Sequence, residues 1–257
     1  MRSSDWRDFF DQAAALTWAN LKCRYRKTAA GFLWVVLNPL ITFSVQAVAF
    51  GHFLKIDVQN YVLFLISGLL PWMFIAQTLE MSAGVFVNSG NLIKSVPVSP
   101  LVFLLAQVLD NLVNFVAAFV LVLALGVAIE GGAGWQWGLL VLAVIPLVTG
   151  VFAMAQWLAT AQVFFRDTRF IVSFALQACF FLTPVFYPRE MVPAEFQWLI
   201  EVNPLFRLIS PFQILIHNFD ANTFLWALLM SFVTSAALMA MASFTWGRRK
   251  HLVYHYV

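Results

Sequence analysis

Six long apolar segments separated by short polar stretches constrain this chain more than any other feature of its sequence. The segments are residues 32–54, 61–85, 101–129, 136–165, 170–187 and 223–246. A helix needs about 20 apolar residues to cross the hydrocarbon core of a bilayer, and each segment approaches or exceeds that length. Charged residues make up only 11% of the 257 residues, against roughly 25% in a soluble domain. The sequence therefore predicts an all-α integral membrane protein with six transmembrane helices.

The basic residues are distributed unequally between the two sides of the predicted spans. With the N-terminus inside, 12 of the 15 Lys and Arg residues lie on the cytoplasmic side, in the N-terminal segment, the loop 88–100, the connection 166–169 and the tail. The other three, Lys55, Arg189 and Arg207, fall on the opposite side. Because Lys and Arg accumulate in cytoplasmic loops, both termini are predicted to be cytoplasmic in a multi-pass topology.

Residues 1–30 are predicted to form an amphipathic helix that lies at the membrane surface. Proline and glycine are absent from Asp5 to Arg26, and aromatic residues repeat with helical spacing on one face. Acidic residues at the start and basic residues at the end both match the helix dipole. Such a helix either serves only as a topological anchor or also forms a docking surface for a cytoplasmic partner. The residues that mark it are Trp6, Phe9, Phe10, Arg24, Tyr25 and Arg26.

No set of residues for catalysis, metal binding or ATP binding is visible in the sequence. The glycine-rich phosphate-binding loop that ends in Lys-Ser/Thr is absent. Within the predicted spans, Glu80 and Asp110 are too few carboxylates to indicate an ion relay. Asp110 has two interpretations, a hydrogen bond with Asn111 or Asn114, or a role in a pathway or subunit interface. Transport would therefore require energy from another subunit, and neither a cofactor nor nucleic acid is expected on this chain.

The polar connection 88–100 is the strongest candidate for contact with such a subunit. A short apolar patch within it is flanked by polar residues and bounded by two prolines. The segment is therefore either an ordinary connection between spans or a short helix that fits a groove on a partner. The predicted docking residues are Asn91, Leu92, Ile93, Lys94, Val96 and Pro97.

Five stretches of the chain carry a family resemblance. They are Tyr25–Pro39, Asn91–Pro97, Phe165–Arg169, Thr183–Pro188 and Asn203–Pro204. Together with the length and the six spans, these stretches resemble type-2 ABC export permeases over essentially the whole chain. The match is closest to the branch of that family that exports polysaccharides such as lipopolysaccharide O-antigen and teichoic acid.

The resemblance implies a permease subunit that forms a homodimer and pairs with two separate ABC ATPase subunits, which bind ATP and Mg²⁺. It implies that the N-terminal helix and the 88–100 segment touch those ATPases, the latter as a coupling helix. Residues 188–222 would form short re-entrant helices at the outer mouth, in the cytoplasmic (inner) membrane of a bacterium. The implied substrate is a glycan linked to undecaprenyl diphosphate. The corresponding outer-gate residues are Phe196, Trp198, Phe206 and Arg207.

A single transmembrane domain is predicted over residues 1–257, and no separate soluble domain is expected within it. Its parts are the interface helix 1–30, spans one to five at 31–187 with the coupling loop 88–100, the outer-mouth region 188–222, span six at 223–246 and a cytoplasmic tail at 247–257.

Aromatic side chains are candidates for the wall of a glycan pathway, because aromatic rings stack on the apolar faces of sugars and leave the hydroxyl groups to water. The alternative for each residue is packing against lipid or at the membrane interface. The candidates are Phe32, Trp34, Phe43, Trp72, Phe74, Phe152, Trp157, Phe180, Phe181, Phe186 and Tyr187.

Two other functions compete with polysaccharide export. An ABC exporter of a drug or lipid would share the architecture and differ only in its substrate. An ion-coupled secondary transporter would work without ATP, and the scarcity of ionisable residues in the predicted spans disfavours it.

Overall fold

The computed structural model describes residues 3–25, 33–53, 58, 60–96, 98–130, 135–217 and 219–256. Every regular element within these residues is helical, as the sequence predicts. The helices are α1 (Ser3–Tyr25), α2 (Leu33–Gln46), α3 (Tyr61–Ala83), α4 (Val85–Asn88), α5 (Gly90–Ser95), α6 (Pro100–Glu130), α7 (Leu140–Phe164), α8 (Thr168–Leu182), α9 (Gln197–Val202), α10 (Pro204–Ile216) and α11 (Ala221–Tyr256). Short 3-10 turns are Trp135–Leu139, Arg189–Met191 and Ala194–Phe196, and the π-helical segment Ala47–Phe53 continues α2.

Four apolar helices are long enough to cross a membrane. They cover Tyr61–Ala83, Pro100–Leu121, Trp135–Phe164 and Ala221–Tyr254. These helices correspond to the predicted spans two, three, four and six. At the positions of spans one and five the structure has shorter apolar helices, Leu37–Phe50 and Thr168–Leu182. The chain is therefore an all-α membrane protein with four long spans among its described residues, and a bent helix pair is the candidate for a fifth.

That bent pair joins α9 to α10 at an angle of 97°, as in a broken span or a re-entrant loop. Asn203 sets the bend, because its backbone is extended and its side-chain oxygen accepts a hydrogen bond from the N–H of Leu205. Pro204 then begins α10 with a φ angle that suits the first helical position. An apolar but interrupted segment, which the sequence predicts at residues 188–222, therefore folds into short helices.

The last helix continues through the residues predicted to form a tail. α11 extends to Tyr256, whereas the predicted span ends at Trp246. The Trp246 ring lies 5.6 Å from the Phe86 ring, and Val253 is fully buried. Because these residues pack against the rest of the protein, the helix persists where hydropathy alone indicates only a polar tail.

Two glycines allow close approach between the packed elements. A Cβ atom on Gly150 of α7 would lie 2.9 Å from the Leu208 side chain of α10. A Cβ atom on Gly68 of α3 would lie 2.6 Å from the backbone oxygen of Val185. Small residues at helix crossings are typical of packing within membranes, where close backbone contact replaces the hydrophobic effect. The first contact brings α7 against α10, and the second brings α3 against the turn that follows α8.

Candidate functional site

A groove of about 350 Å³ lies between α2, α3 and α8. Its volume falls within the range of small-molecule sites, roughly 300–1,000 Å³. Its lining residues are Thr42, Gln46, Leu69, Trp72, Met73, Ala76, Glu80, Leu176, Gln177, Phe180 and Phe181. Three of the aromatic residues predicted to line a pathway are among them.

Aromatic rings form a connected cluster at this groove. The ring centroid of Phe180 lies 5.5 Å from Trp72, 5.3 Å from Phe181 and 5.3 Å from Phe186. Phe186 in turn lies 4.9 Å from Tyr187. The structure therefore brings five of the predicted pathway aromatics into one connected cluster, although they come from α3, α8 and the turn after α8, and three of the five line the groove.

Polar side chains share the walls of the groove with these rings. The Oε1 atom of Gln46 is buried and has no hydrogen-bond partner among the described residues. Ser173 donates a hydrogen bond of 3.5 Å to a carboxylate oxygen of Glu80, and Gln177 is exposed on the same side of α8. Because buried polar groups are normally hydrogen-bonded, the Gln46 oxygen favours a ligand that carries hydroxyl or amide donors.

The other predicted pathway aromatics lie elsewhere. Phe43 and Phe74 are buried in the hydrophobic core and are not among the groove-lining residues, and the Phe74 ring lies 5.3 Å from the Phe115 ring of α6. Phe152 is partly buried against the same core. Trp34 and Trp157 are exposed away from the groove residues, and Phe32 lies outside the described residues.

The predicted coupling segment 88–100 lies between α3 and α6 and contains one short helix, α5, which follows α4. The side chain of Leu92 is 53% exposed, whereas that of Ile93 is only 5% exposed. Val96 is exposed together with the polar Asn91 and Lys94. Pro97 lies outside the described residues. The predicted apolar patch is therefore divided, with Leu92 and Val96 facing outward and Ile93 anchoring the segment in the core.

The N-terminal helix packs along α6 through its small residues. Ala13 and Thr17 are buried, and the Thr17 hydroxyl lies 3.3 Å from the backbone oxygen of Ala106. Trp6 and Phe10 stack on each other at the exposed surface of the helix. Phe9 is partly buried between exposed neighbours, Tyr25 ends the helix, and Arg26 is beyond the described residues. The predicted aromatic surface of this helix is thus available for membrane or partner contact.

Arg24 is the exception to that predicted surface. Its guanidinium group pairs with the Asp110 carboxylate of α6 at 2.5 Å and bonds the Asn111 side-chain oxygen at 3.3 and 3.4 Å. Asn111 donates in turn to the Thr78 hydroxyl of α3 at 3.3 Å. Arg24 therefore ties α1 to two neighbouring helices, and it is a partner for Asp110 that sequence reasoning missed.

A second and larger cavity of about 640 Å³ lies between α10, α11 and residues 188–190; we term it the α10–α11 cavity. Of the predicted outer-gate residues, Phe206 and Arg207 line it, whereas Phe196 and Trp198 are exposed outside its wall. Next to the cavity, Thr223 bonds the Asp220 carboxylate through its hydroxyl at 2.6 Å and its backbone N–H at 2.8 Å. These two hydrogen bonds lower the pKa of Asp220 and cap the start of α11.

The chain has long apolar helices, a groove with polar and aromatic walls, and no phosphate-binding loop in its sequence. These are features of the membrane subunit of a transporter. The family model described as "ABC-2 type transporter" matches residues 11–217, and the chain belongs to this family. The family resemblance predicted from the sequence motifs is confirmed. Members of this family are permease components of ABC transporters and not their ATPases.

Similar proteins carry names from polysaccharide export. An "O-antigen export system permease protein RfbA" of Klebsiella pneumoniae is 31% identical over 215 residues, 83% of either chain. A protein of the same name from Myxococcus xanthus is 31% identical over 206 residues, 79% of either chain. The "Polysialic acid transport protein KpsM" of Escherichia coli is 21% identical over 206 residues, which cover 76% of this chain and 77% of that protein.

Proposed function

We propose that this chain is the permease subunit of an ABC transporter that exports lipid-linked polysaccharide of the O-antigen type across a bacterial cytoplasmic membrane. The observation that carries this proposal is the groove between α2, α3 and α8, whose walls combine aromatic rings with amide and carboxylate groups. Rings of this kind stack on sugar faces while the polar groups bond sugar hydroxyls. The names of the related proteins support the same substrate class.

The topology of this permease has six spans with both termini in the cytoplasm. α2 with its π-helical extension and α8 with the turn that follows it are the shorter first and fifth spans. The α9–α10 pair re-enters from the outer side without crossing, an arrangement that its bend of 97° allows. The excess of basic residues in the predicted cytoplasmic connections supports this orientation.

The working unit is a homodimer in which two grooves face each other. α2 with its π-helical extension and α8, which border the groove, expose many large apolar side chains: Leu33, Trp34, Ile41 and Val45 on α2, Val48 on the extension, and Phe170, Ile171, Phe174, Phe181 and Leu182 on α8. A second copy that covers these faces would close the groove into a pathway through a twofold interface. A lateral opening between the helices would accommodate the undecaprenyl chain of the substrate.

Two ABC ATPase subunits supply the energy by binding ATP with Mg²⁺. Leu92 and Val96 present an apolar contact for those subunits, and the buried Ile93 transmits their movement to the helices around it. α1 receives the same movement and passes it to α6 and α3 through Arg24. The closing of the ATPase pair would therefore shift the helices that border the groove.

The experiment that tests this function measures export of surface polysaccharide. It uses cells that lack their own permease and express this chain with its ATPase. We expect Phe181→Ala with Gln177→Ala to lower export about tenfold, a loss of ~1.4 kcal/mol, because both side chains face the groove. Phe232→Ala on α11 removes an aromatic side chain outside the groove and is the matched control.

Three results would contradict the proposal. The first is unchanged export by the double variant at normal protein levels, which would remove the groove from the pathway. The second is transport by the purified chain without ATPase or ATP, which would identify a secondary transporter. Export of a lipid without attached glycan would instead indicate a lipid exporter.

A further inference from the structure

The α10–α11 cavity has the size and composition of a ligand site, and it is separate from the groove described above. Its volume of about 640 Å³ lies well within the range of sites for small molecules. No residue is shared between its wall and that of the groove. Its walls come from the start of α3, the residues after α8, the end of α9, α10 and the start of α11, so a single protomer builds it.

The charges in the cavity wall balance each other. The wall contains Arg189 and Arg207 together with Glu190 and Glu201. A carboxylate oxygen of Glu201 accepts a hydrogen bond of 2.6 Å from Arg189, and the backbone oxygen of Glu201 accepts one of 2.7 Å from the Nε of Arg207. Two positive and two negative groups give no net attraction for a free anion, but they provide strong donors and acceptors side by side.

Neutral polar groups and aromatic rings complete the wall. Ser210 and Gln213 are buried polar residues of α10, and the Gln213 amide is held by a 2.7 Å hydrogen bond to the Pro184 oxygen. His217 packs edge-on against Phe64 at 5.3 Å. Trp226 of α11 lines the cavity with a side chain that is 59% exposed, so its ring is accessible to a ligand.

We propose that the α10–α11 cavity is a carbohydrate-binding subsite that holds sugar units of the exported glycan. An acyl chain is disfavoured by the charged and amide groups in the wall, because they would be desolvated without new partners. A free anion is disfavoured by the balanced charges. A polyhydroxylated ligand satisfies the donors and acceptors at once and stacks on the Trp226 ring. This inference rests on the proposed function, since it takes its ligand from the same substrate.

The test measures binding by the purified permease–ATPase complex of an oligosaccharide released by mild acid from the host's own polysaccharide. We expect Trp226→Ala to weaken binding about tenfold, the loss expected when an aromatic anchor is truncated. Trp226→Phe keeps a ring and should retain most of the affinity. Trp135→Ala removes a tryptophan that is 77% exposed but outside the cavity wall, so it should bind as the unsubstituted protein does.

Arg207→Gln provides a second variant that alters the cavity without touching the aromatic ring, and it should also weaken binding. Affinity in both Trp226→Ala and Arg207→Gln that is unchanged from the unsubstituted complex, or no oligosaccharide binding by that complex, would overturn the subsite. Stronger competition by glycerol 1-phosphate than by free oligosaccharide would overturn it in favour of a lipid headgroup. Surface export is measured in parallel to separate a failure of the subsite from a failure of the proposed function. If the complex exports polysaccharide normally but shows no binding at the cavity, only the subsite is refuted.

Discussion

The ion pair between Arg24 and Asp110 is the most consequential contact at the scale of single residues. Asp110 is 2% exposed in its side chain, whereas Arg24 is 27% exposed. A carboxylate at this depth requires a charged or hydrogen-bonding partner, since an unpaired buried charge is costly. The sequence identifies Asp110 as unusual but predicts Asn111 or Asn114 as its partner. It cannot identify Arg24, because a contact between residues so distant in the chain depends on how α1 packs on α6.

Because Asp110 is more deeply buried than Arg24, removing one partner of the ion pair should destabilise the protein more than removing the other. Arg24→Ala leaves the buried Asp110 unpaired and should lower the free energy of unfolding by about 3–5 kcal/mol. Asp110→Asn should cost less, because the more exposed Arg24 can reach water. The double variant Arg24→Ala with Asp110→Asn should recover part of the loss. Thermal unfolding in detergent measures these differences, with the exposed Arg7→Ala as control; equal melting temperatures in the two single variants would refute the argument.

At the scale of elements, the coupling segment shows what its sequence can predict and what it cannot. The apolar patch and the flanking prolines favour a short helix, and the structure has α5 at that position. The sequence does not show which of Leu92 and Ile93 is exposed and which is buried. Both are apolar and adjacent, so their exposure depends on how the short helix packs against the rest of the protein. The same limit applies to α11, whose extension past Trp246 depends on burial of residues such as Val253.

Because Leu92 is exposed and Ile93 is buried, we expect the same substitution to have different effects at these two positions. Leu92→Asp places a carboxylate on an exposed contact, so it should reduce co-purification of the ATPase at least about tenfold while the permease still folds. Ile93→Asp places a charge in the core, so it should reduce the yield of folded permease. Pull-down with a tagged permease and size-exclusion chromatography measure the two effects. Normal ATPase capture by a folded Leu92→Asp variant would exclude this residue from the docking surface.

At the scale of the whole molecule, length and hydropathy predict the long spans well and the short ones poorly. α3, α6, α7 and α11 agree with predicted segments because each is long and continuously apolar. α8, at residues 168–182, is too short to be identified as a span by length alone, and its role depends on the turn that follows it. The groove depends on tertiary packing in the same way. Aromatic candidates such as Trp72 and Phe180 converge there, whereas Phe74 is equally aromatic but lies in the core.

The proposed homodimer predicts which helix lies near the twofold axis. Residues close to such an axis face their own copies, and a disulfide forms only when the two Cα atoms lie within about 7 Å. We therefore expect a cysteine on the exposed face of α8, introduced in turn at Phe170, Ile171 and Phe174, to form a covalent dimer under mild oxidation in membranes. The background must carry Cys23→Ser and Cys179→Ser, because both native cysteines are free thiols.

Leu229→Cys on α11 is the matched control, since Leu229 is an exposed apolar residue on a helix outside the proposed interface. It should remain monomeric on a non-reducing gel under the same oxidation. Efficient cross-linking at Leu229 with none on α8 would contradict the proposed interface. It would place the twofold axis near α11 and leave the two grooves facing lipid. Cross-linking on α8 alone would join the two grooves across one interface, which is the arrangement that a continuous glycan pathway requires.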